Sequence, residues 1–337
     1  MKGIFYKLMT SIKSIKDILL ENKENFKLLK GDMSLYYKHT VISERPIDNE
    51  TISIVMTTSD RTKQLYFTLS TIQKSTNQNI HLVIVDDSEN DPVNHSVLEK
   101  TGLYIDLIEI NRSKKFWINP CVNYNIGFSF MKGNRVIIQN SEVCHVGDIL
   151  SFVSGIYNDG YYVFDILASK GFIQNDEIYL NAENLTFDEL SRTFGHNPID
   201  PKYNVLSPHL FELWYQHHLF NRRNYHFLTF TSKKVIETIG GFCSDYAFAV
   251  SYDDDDFVLR LMNANIQILN IVSTNCKVLG IHLYHSMANT TQKHLPTHDN
   301  KEMWVLKKEF FYKNHEYIEI SKNLNMFEVL IEYLFKK

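Results

Sequence analysis

At 337 residues, with 44% apolar and 22% charged side chains, the chain can fill one large domain or two medium ones around a full core. Its 35 Lys and Arg against 39 Asp and Glu leave a formal net charge of −4, which argues against a nucleic-acid partner bound through a global basic field. Four widely spaced cysteines, Cys121, Cys144, Cys243 and Cys276, form no CxxC pair, so a disulfide framework or zinc site is not expected and reduced thiols in the cytoplasm are.

Residues 1–48 open the chain as a Lys-rich helical extension. Ile12, Ile15, Ile18 and Leu19 recur at helical spacing with Lys13 and Lys16 beside them. Such a helix packs on the main domain or makes peripheral contact with a membrane surface. No apolar run reaches the ~18 residues of a membrane span. After Pro46 the pattern changes. Residues 52–56 read as a buried strand that ends at Thr57, Thr58, Ser59, Asp60 and Arg61, and a helix follows through Leu65, Leu69 and Ile72. Further strands are expected at 81–85, ending in Asp86 and Asp87, at 104–110, ending in Asn111 and Arg112, and at 136–138, ending in Asn140, Ser141 and Glu142. Strands alternating with helices predict βαβ units, an α/β fold with a mixed, mainly parallel central sheet flanked by helices. Ligands of such sheets bind beyond the carboxyl ends of the strands, where these polar residues stand.

Residues 161–166 read as another strand, 181–208 as loop-rich, and 225–231 as a strand entering Gly240, Gly241 and Phe242. Trp214, His217, His218, Arg222 and Arg223 gather aromatics, imidazoles and guanidinium groups between them. Asp253, Asp254, Asp255 and Asp256 then precede Phe257, Val258, Leu261 and Met262 at helical spacing. Four adjacent carboxylates repel one another, so water screens them, or a cation or substrate hydroxyl uses them. An acidic helix start accounts for the run without any function, because Asp suits exposed N–H groups and the dipole. On such a helix Asp253 and Asp256 share a face and Asp254 points elsewhere. The segment 291–337 is expected to be a C-terminal helical extension, with Phe327, Leu330, Ile331 and Leu334 on one face.

Taken in order, several motifs resemble inverting nucleotide-sugar glycosyltransferases of the GT-A fold, close to family 2, over most of the chain. They are Ile54, Val55, Met56, Thr57 and Thr58 with Asp60 and Arg61; Val83, Ile84, Val85, Asp86, Asp87 and Ser88; Asn119 and Pro120 with Asn123, Asn125 and Gly127; and Gly240, Gly241 and Phe242 before the acidic run. The resemblance implies a GT-A domain over 49–290 that moves a sugar from a nucleoside-diphosphate sugar to a glycan or other hydroxyl acceptor, with UDP the favoured nucleotide. It places Thr57, Thr58, Asp60, Arg61, Asp86, Asp87, Asn125 and Asn140 at the donor, and makes Asp254 the general base. It also puts Trp214, His217, His226, Asp253 and Asp255 towards the acceptor, where aromatic faces stack on sugar rings.

The chain departs from the family after the fourth strand. Asn140, Ser141 and Glu142 stand where an Asp-x-Asp pair usually chelates a divalent cation. Glu142 still offers a hard oxygen, and the resemblance makes His282 or His285 a further ligand, so Mn²⁺ or Mg²⁺ is the expected cofactor. A strand running through both histidines would turn them to opposite faces. The same departure motivates the alternative, a catalytically weakened relative that binds nucleotide or glycan. A nucleotidyltransferase fits less well, because residues 56–61 lack the glycine-rich loop that cradles a triphosphate.

Overall fold

Aliphatic runs that are apolar on both faces make strands that must be covered on both sides. In the computed structural model, which describes residues 22–180 and 214–285 with positions 301, 304 and 308, these runs form the centre. The expected helices at 12–19 and 327–334 and the loop-rich stretch 181–208 lie outside the described residues.

Helix α1 (Lys23–Leu29) and strand β1 (Tyr37–Ile42) come first. They are followed by β2 (Ile52–Thr58), α2 (Thr62–Gln73), β3 (Ile80–Asp86), α3 (His95–Thr101) and β4 (Ile105–Ile110). Helix α4 (Cys121–Phe128) leads to β5 (Arg135–Asn140), β6 (Val143–Val146) and α5 (Ile149–Ser154). Then come β7 (Tyr161–Phe164), β8 (Ile166–Ala168) and α6 (Phe172–Leu180). The second part holds β9 (Trp214–Gln216), β10 (Leu228–Ser232), α7 (Lys233–Ile239) and α8 (Asp253–Asn263). It ends with β11 (Ile268–Ile271), α9 (Ser273–Cys276) and β12 (Leu279–His282).

Eight strands form one sheet in the order β1-β4-β3-β2-β5-β10-β7-β11. Four of its seven pairings are parallel, and β4, β3, β2 and β5 lie side by side in parallel, as the alternation of strands and helices predicts. Val55, Val83 and Val85 pack on one face with Phe242, Phe257 and Leu261, while Ile54, Met56 and Ile84 pack on the other with Leu65 and Leu69. Helix α4 lies tightly on the first face: a Cβ on Gly127 would come within 2.8 Å of Val55 Cγ1.

Three elements differ from the sequence reading. Residues 37–42, within the opening expected to be helical, form β1 antiparallel to β4. The run 161–166 breaks at Asp165, leaving β7 in the central sheet and β8 in a second sheet of order β6-β12-β8-β9. The run 281–285 leaves its strand after His282. No helix of the described residues is long and apolar enough to cross a membrane.

Candidate active site

Strand register assembles the first wall of the site. Thr57 pairs with Asn140 and Thr58 with Asp86, which brings the carboxyl ends of β2, β3 and β5 together. The acids here tie loops to one another. Asp60, at φ 52°, accepts the backbone N–H groups of Glu89, Asn90 and Asp91 at 3.0, 2.7 and 2.8 Å. Asp86 accepts those of Ser88 and Val93 at 3.0 and 2.8 Å, and burial pushes its carboxyl up. Asp87 meets Arg112 Nη1 at 2.6 Å, Asn123 Nδ2 at 3.0 Å and the Lys115 ammonium. Asn125 brackets Phe242, donating to its C=O and accepting from its N–H, each at 2.8 Å. This explains Gly241: its φ is 68°, and a Cβ there would come within 2.5 Å of Asn125 Oδ1. Asn125 therefore holds the chain that leads into the acidic run. The Tyr124 hydroxyl donates to Gln139 O at 3.0 Å and lies 3.2 Å from Asn140 Oδ1.

The four aspartates opening α8 have four different surroundings. Asp253 and Asp256 share the buried face, as the helical spacing predicts. Asp256 is structural: Arg260 Nε donates to it at 2.7 Å and the Tyr246 hydroxyl at 3.1 Å. Asp253 accepts Asn119 Nδ2 at 3.0 Å, and burial followed by the charge of Asp254 pushes its carboxyl up to about 7. Asp255 pairs with the Tyr225 hydroxyl; burial and then that carboxylate push the phenol up. Asp254 keeps 22% of its side chain exposed, and its Oδ1 lies 2.5 Å from His226 Nδ1. The approach is off-axis for a hydrogen bond, so neither buried atom has a hydrogen-bond partner among the described residues. His226 itself is buried edge-on between Tyr124 and Phe242, at ring distances of 4.5 and 4.8 Å.

A carboxylate–imidazole cluster lies on the other side of Tyr215. His282 Nε2 and His285 Nε2 are each 3.5 Å from Glu142 Oε1. The two histidines face the same point because the chain turns after β12. The Leu283 N–H donates to Glu142 O at 2.9 Å, and Asn175 brackets Tyr284, accepting its N–H at 2.9 Å and donating to its C=O at 2.8 Å. Burial alone would raise the Glu142 carboxyl. The Arg61 guanidinium 2.6 Å away and the two imidazoles outweigh burial and hold it well below the usual carboxylate range. His282 stacks on Tyr215 at 3.8 Å, and its buried Nε2 makes no hydrogen bond among the described residues. A carboxylate oxygen and two convergent nitrogens, one of them without a hydrogen bond, fit a divalent cation. Tyr215 joins the two halves: burial, then the charges of Glu142 and Asp254, push its phenol up to about 12.

Asp165, His217 and His218 make a second group of the same composition. Here both carboxylate oxygens and His217 Nδ1 are occupied. Asp165 takes the His218 N–H at 3.0 Å, the Ser273 N–H at 3.1 Å and the Ser273 hydroxyl at 2.9 Å, and His218 Nδ1 lies 3.0 Å away. His217 Nδ1 accepts the N–H groups of Leu219 and Phe220 at 3.0 and 3.2 Å. His217 is thereby occupied in the scaffold. Trp214 is 3% exposed among Cys144, Val146, Leu167 and Ile281, so its ring faces the core of the second sheet. Alternation along β9 turns Tyr215 the other way, onto His282. Tyr215 and Asn175 escaped the sequence reading; the alternation on either side of Trp214 was the available signal for the first.

No family model and no curated protein matches the sequence. Among solved structures, the chain is similar to a mannosyltransferase, PcManGT from Pyrobaculum calidifontis, in complex with GDP-Man and Mn²⁺. The identity is 11%, the match covers 85% of this chain and 70% of that one, and the TM-score is 0.41. It is also similar to S. aureus TarS 1-349 in complex with UDP-GlcNAc, at 12% identity, 83% and 77% coverage and a TM-score of 0.48.

Proposed function

We propose that this chain is a nucleotide-sugar glycosyltransferase of the GT-A fold, close to family 2, that transfers a sugar with inversion to a glycan or other hydroxyl acceptor. One observation carries the reading. At the carboxyl edge of the parallel strands, Asp254 borders His226, whose ring packs on Tyr124 beside Asn140, and the charges of both Asp254 and Glu142 raise the Tyr215 phenol. A base for an acceptor and a binding place for a leaving diphosphate thus border one site.

In this reaction the acceptor oxygen attacks the anomeric carbon while its proton passes to Asp254, and the bond from that carbon to the diphosphate oxygen breaks. A carboxylate is basic enough because the proton leaves late, as the carbon becomes oxocarbenium-like. Asp253 is buried and held in place by Asn119, so Asp254, with 22% of its side chain exposed, is the carboxylate an acceptor hydroxyl reaches. His226 restricts the Asp254 carboxylate to one side. Glu142, His282 and His285 would hold a divalent cation, which when bound supplies Lewis-acid stabilisation of charge on the leaving diphosphate. Two imidazole nitrogens in the donor set favour Mn²⁺ over Mg²⁺, which prefers oxygen.

A thermal-shift panel tests the reading, with UDP, GDP, CMP and their sugars, each with Mn²⁺, Mg²⁺ or EDTA. A ligand of the folded state raises the melting temperature by mass action. We expect a shift with a nucleoside diphosphate, UDP first, that is larger with Mn²⁺ than with EDTA, together with transfer or slow hydrolysis of its sugar. Binding without any turnover would instead indicate the catalytically weakened relative. If no nucleotide shifts the melting temperature and no sugar nucleotide is consumed, the proposal is wrong.

A further inference from the structure

The proposed reaction leaves one contact without a role. Arg61 Nη1 lies 2.6 Å from Glu142 Oε1, the same oxygen that both imidazole nitrogens face at 3.5 Å. The other oxygen, Oε2, takes the Ser141 hydroxyl at 3.0 Å. The carboxylate oxygen that faces both imidazoles is therefore covered by a guanidinium. Resting on the glycosyltransferase reading, we propose that Arg61 and a divalent cation compete for Glu142 Oε1, so that cation loading hands the guanidinium over to the donor's diphosphate.

Charge makes the two occupants exclusive. Glu142 is 2% exposed and carries one negative charge, which Arg61 alone already balances. A divalent ion between Glu142 and the imidazoles would lie against the guanidinium, where burial leaves little water to screen the repulsion. The backbone cannot follow the side chain. Asp60 is held by three N–H groups of residues 89–91 and donates its own N–H to Ser88 Oγ at 2.8 Å, while Arg61 O accepts the Leu65 N–H that starts α2. Only the Arg61 side chain is free to swing, from an anchor just beyond the end of β2. A diphosphate is the natural new partner: the planar guanidinium stays charged and matches phosphate oxygens two at a time. Arg61 thus guards the buried Glu142 charge before loading and neutralises the leaving group after it.

The test is Mn²⁺ alone, titrated into protein without nucleotide and followed by the EPR signal of free Mn²⁺. Arg61→Met, which keeps the apolar stem and removes the charge, should bind Mn²⁺ about tenfold more tightly than the wild type, within the usual range of such couplings. The same variant should bind UDP or GDP in saturating Mn²⁺ about tenfold more weakly, because the guanidinium is missing where the phosphate arrives. Effects of opposite sign on the two ligands are the signature; a variant that merely disturbed the fold would weaken both. Arg61→Lys, which keeps a charge but not the fork, should fall between and serves if the methionine variant does not fold. Equal or weaker Mn²⁺ binding in folded Arg61→Met overturns the competition. Absence of Mn²⁺ binding in every variant also overturns it, and leaves the glycosyltransferase reading standing if nucleotides still bind. Tighter Mn²⁺ binding with no nucleotide bound at all would retain the competition and remove the glycosyltransferase reading.

Discussion

Glu142, His282 and His285 at one end of the second sheet, and Asp165, His217 and His218 at the other, have the same make-up: one acid, two histidines, two residues buried and one half-buried. The parallel pairing of β8 and β12 sets them apart, with Asp165 just before the start of β8 and His282 at the end of β12. They differ in what their lone pairs do. Around Asp165, backbone N–H groups and the Ser273 hydroxyl take up the acceptor atoms, and His217 Nδ1 serves two further N–H groups. Around Glu142, the imidazole nitrogens stand 3.5 Å off, and His282 Nε2 makes no hydrogen bond among the described residues. A buried polar atom without a hydrogen bond costs stability unless a ligand or water meets it. Residue composition alone does not separate a scaffold knot from a site; a buried imidazole nitrogen left without a hydrogen bond does.

Exchanging the treatment of the two acids tests that contrast most severely. Glu142→Gln should abolish Mn²⁺ binding and lower transfer by roughly 10³-fold or more, since a cation at the leaving group contributes several kcal/mol. Asp165→Asn should leave Mn²⁺ affinity unchanged and cost about 3–5 kcal/mol of stability in urea unfolding, the range for breaking a buried charge network. If Asp165→Asn weakens Mn²⁺ binding instead, the second group is a site after all. Asp254→Asn should slow transfer about 10²- to 10⁴-fold, the contribution of a positioned base, with nucleotide affinity unchanged. Near-normal turnover in that variant would move the base elsewhere. Single His282→Ala and His285→Ala variants should each weaken Mn²⁺ binding by about 10- to 100-fold, as disturbed metal surroundings do. His218→Ala should not alter it. Isothermal titration with Mn²⁺ compares all three.

The central sheet is legible because β2, β3, β4 and β5 are six or seven residues long, rich in Ile, Val and Leu, and each ends in or is followed by polar groups. The second sheet is not. Its strands are three or four residues long, too short to show a period. That gap had consequences at the site. The sequence singles out Trp214 by its aromatic ring, whereas alternation along β9 buries it and turns Tyr215 to His282. Without the end of β12, His282 and His285 fell on opposite faces of an imagined strand. The turn that reunites them depends on Asn175, which is 109 residues from Tyr284 and acts only through that residue's backbone. Glu142, Asp254 and the histidines could be named from motif order, but the buried roles of Asp256 and Asp60 could not. A carboxylate pairing with an arginine one helical turn away or with a neighbouring loop's N–H groups looks the same in sequence as one facing a substrate.

The smallest expected effect concerns acid and bears on the scaffold knot alone. Burial, against the pull of Asp165, lowers His217 from 6.5 to about 4. Between those values the imidazole is neutral in the folded protein and protonated in the unfolded chain, so the unfolded state binds the extra proton. Stability from this residue is complete above about pH 6.5 and is lost as the pH falls towards 4. Asp253 works in the opposite sense. With its carboxyl raised to about 7, the folded state holds a proton that the unfolded chain has released, and stability falls as the pH rises from about 4 towards 7. A wild-type profile alone would blur the two. The difference between wild type and His217→Asn cancels the Asp253 contribution, which both proteins share. The asparagine amide oxygen also keeps an acceptor near the Leu219 and Phe220 N–H groups. Urea unfolding from pH 4 to 7.5 should show the variant losing less stability on acidification, with the difference confined to pH 4–6.5. Mn²⁺ affinity at pH 7.5 should match the wild type. Parallel pH profiles would show that His217 is not held neutral by the fold, and would leave the Asp165 knot with hydrogen bonds but no titrating member.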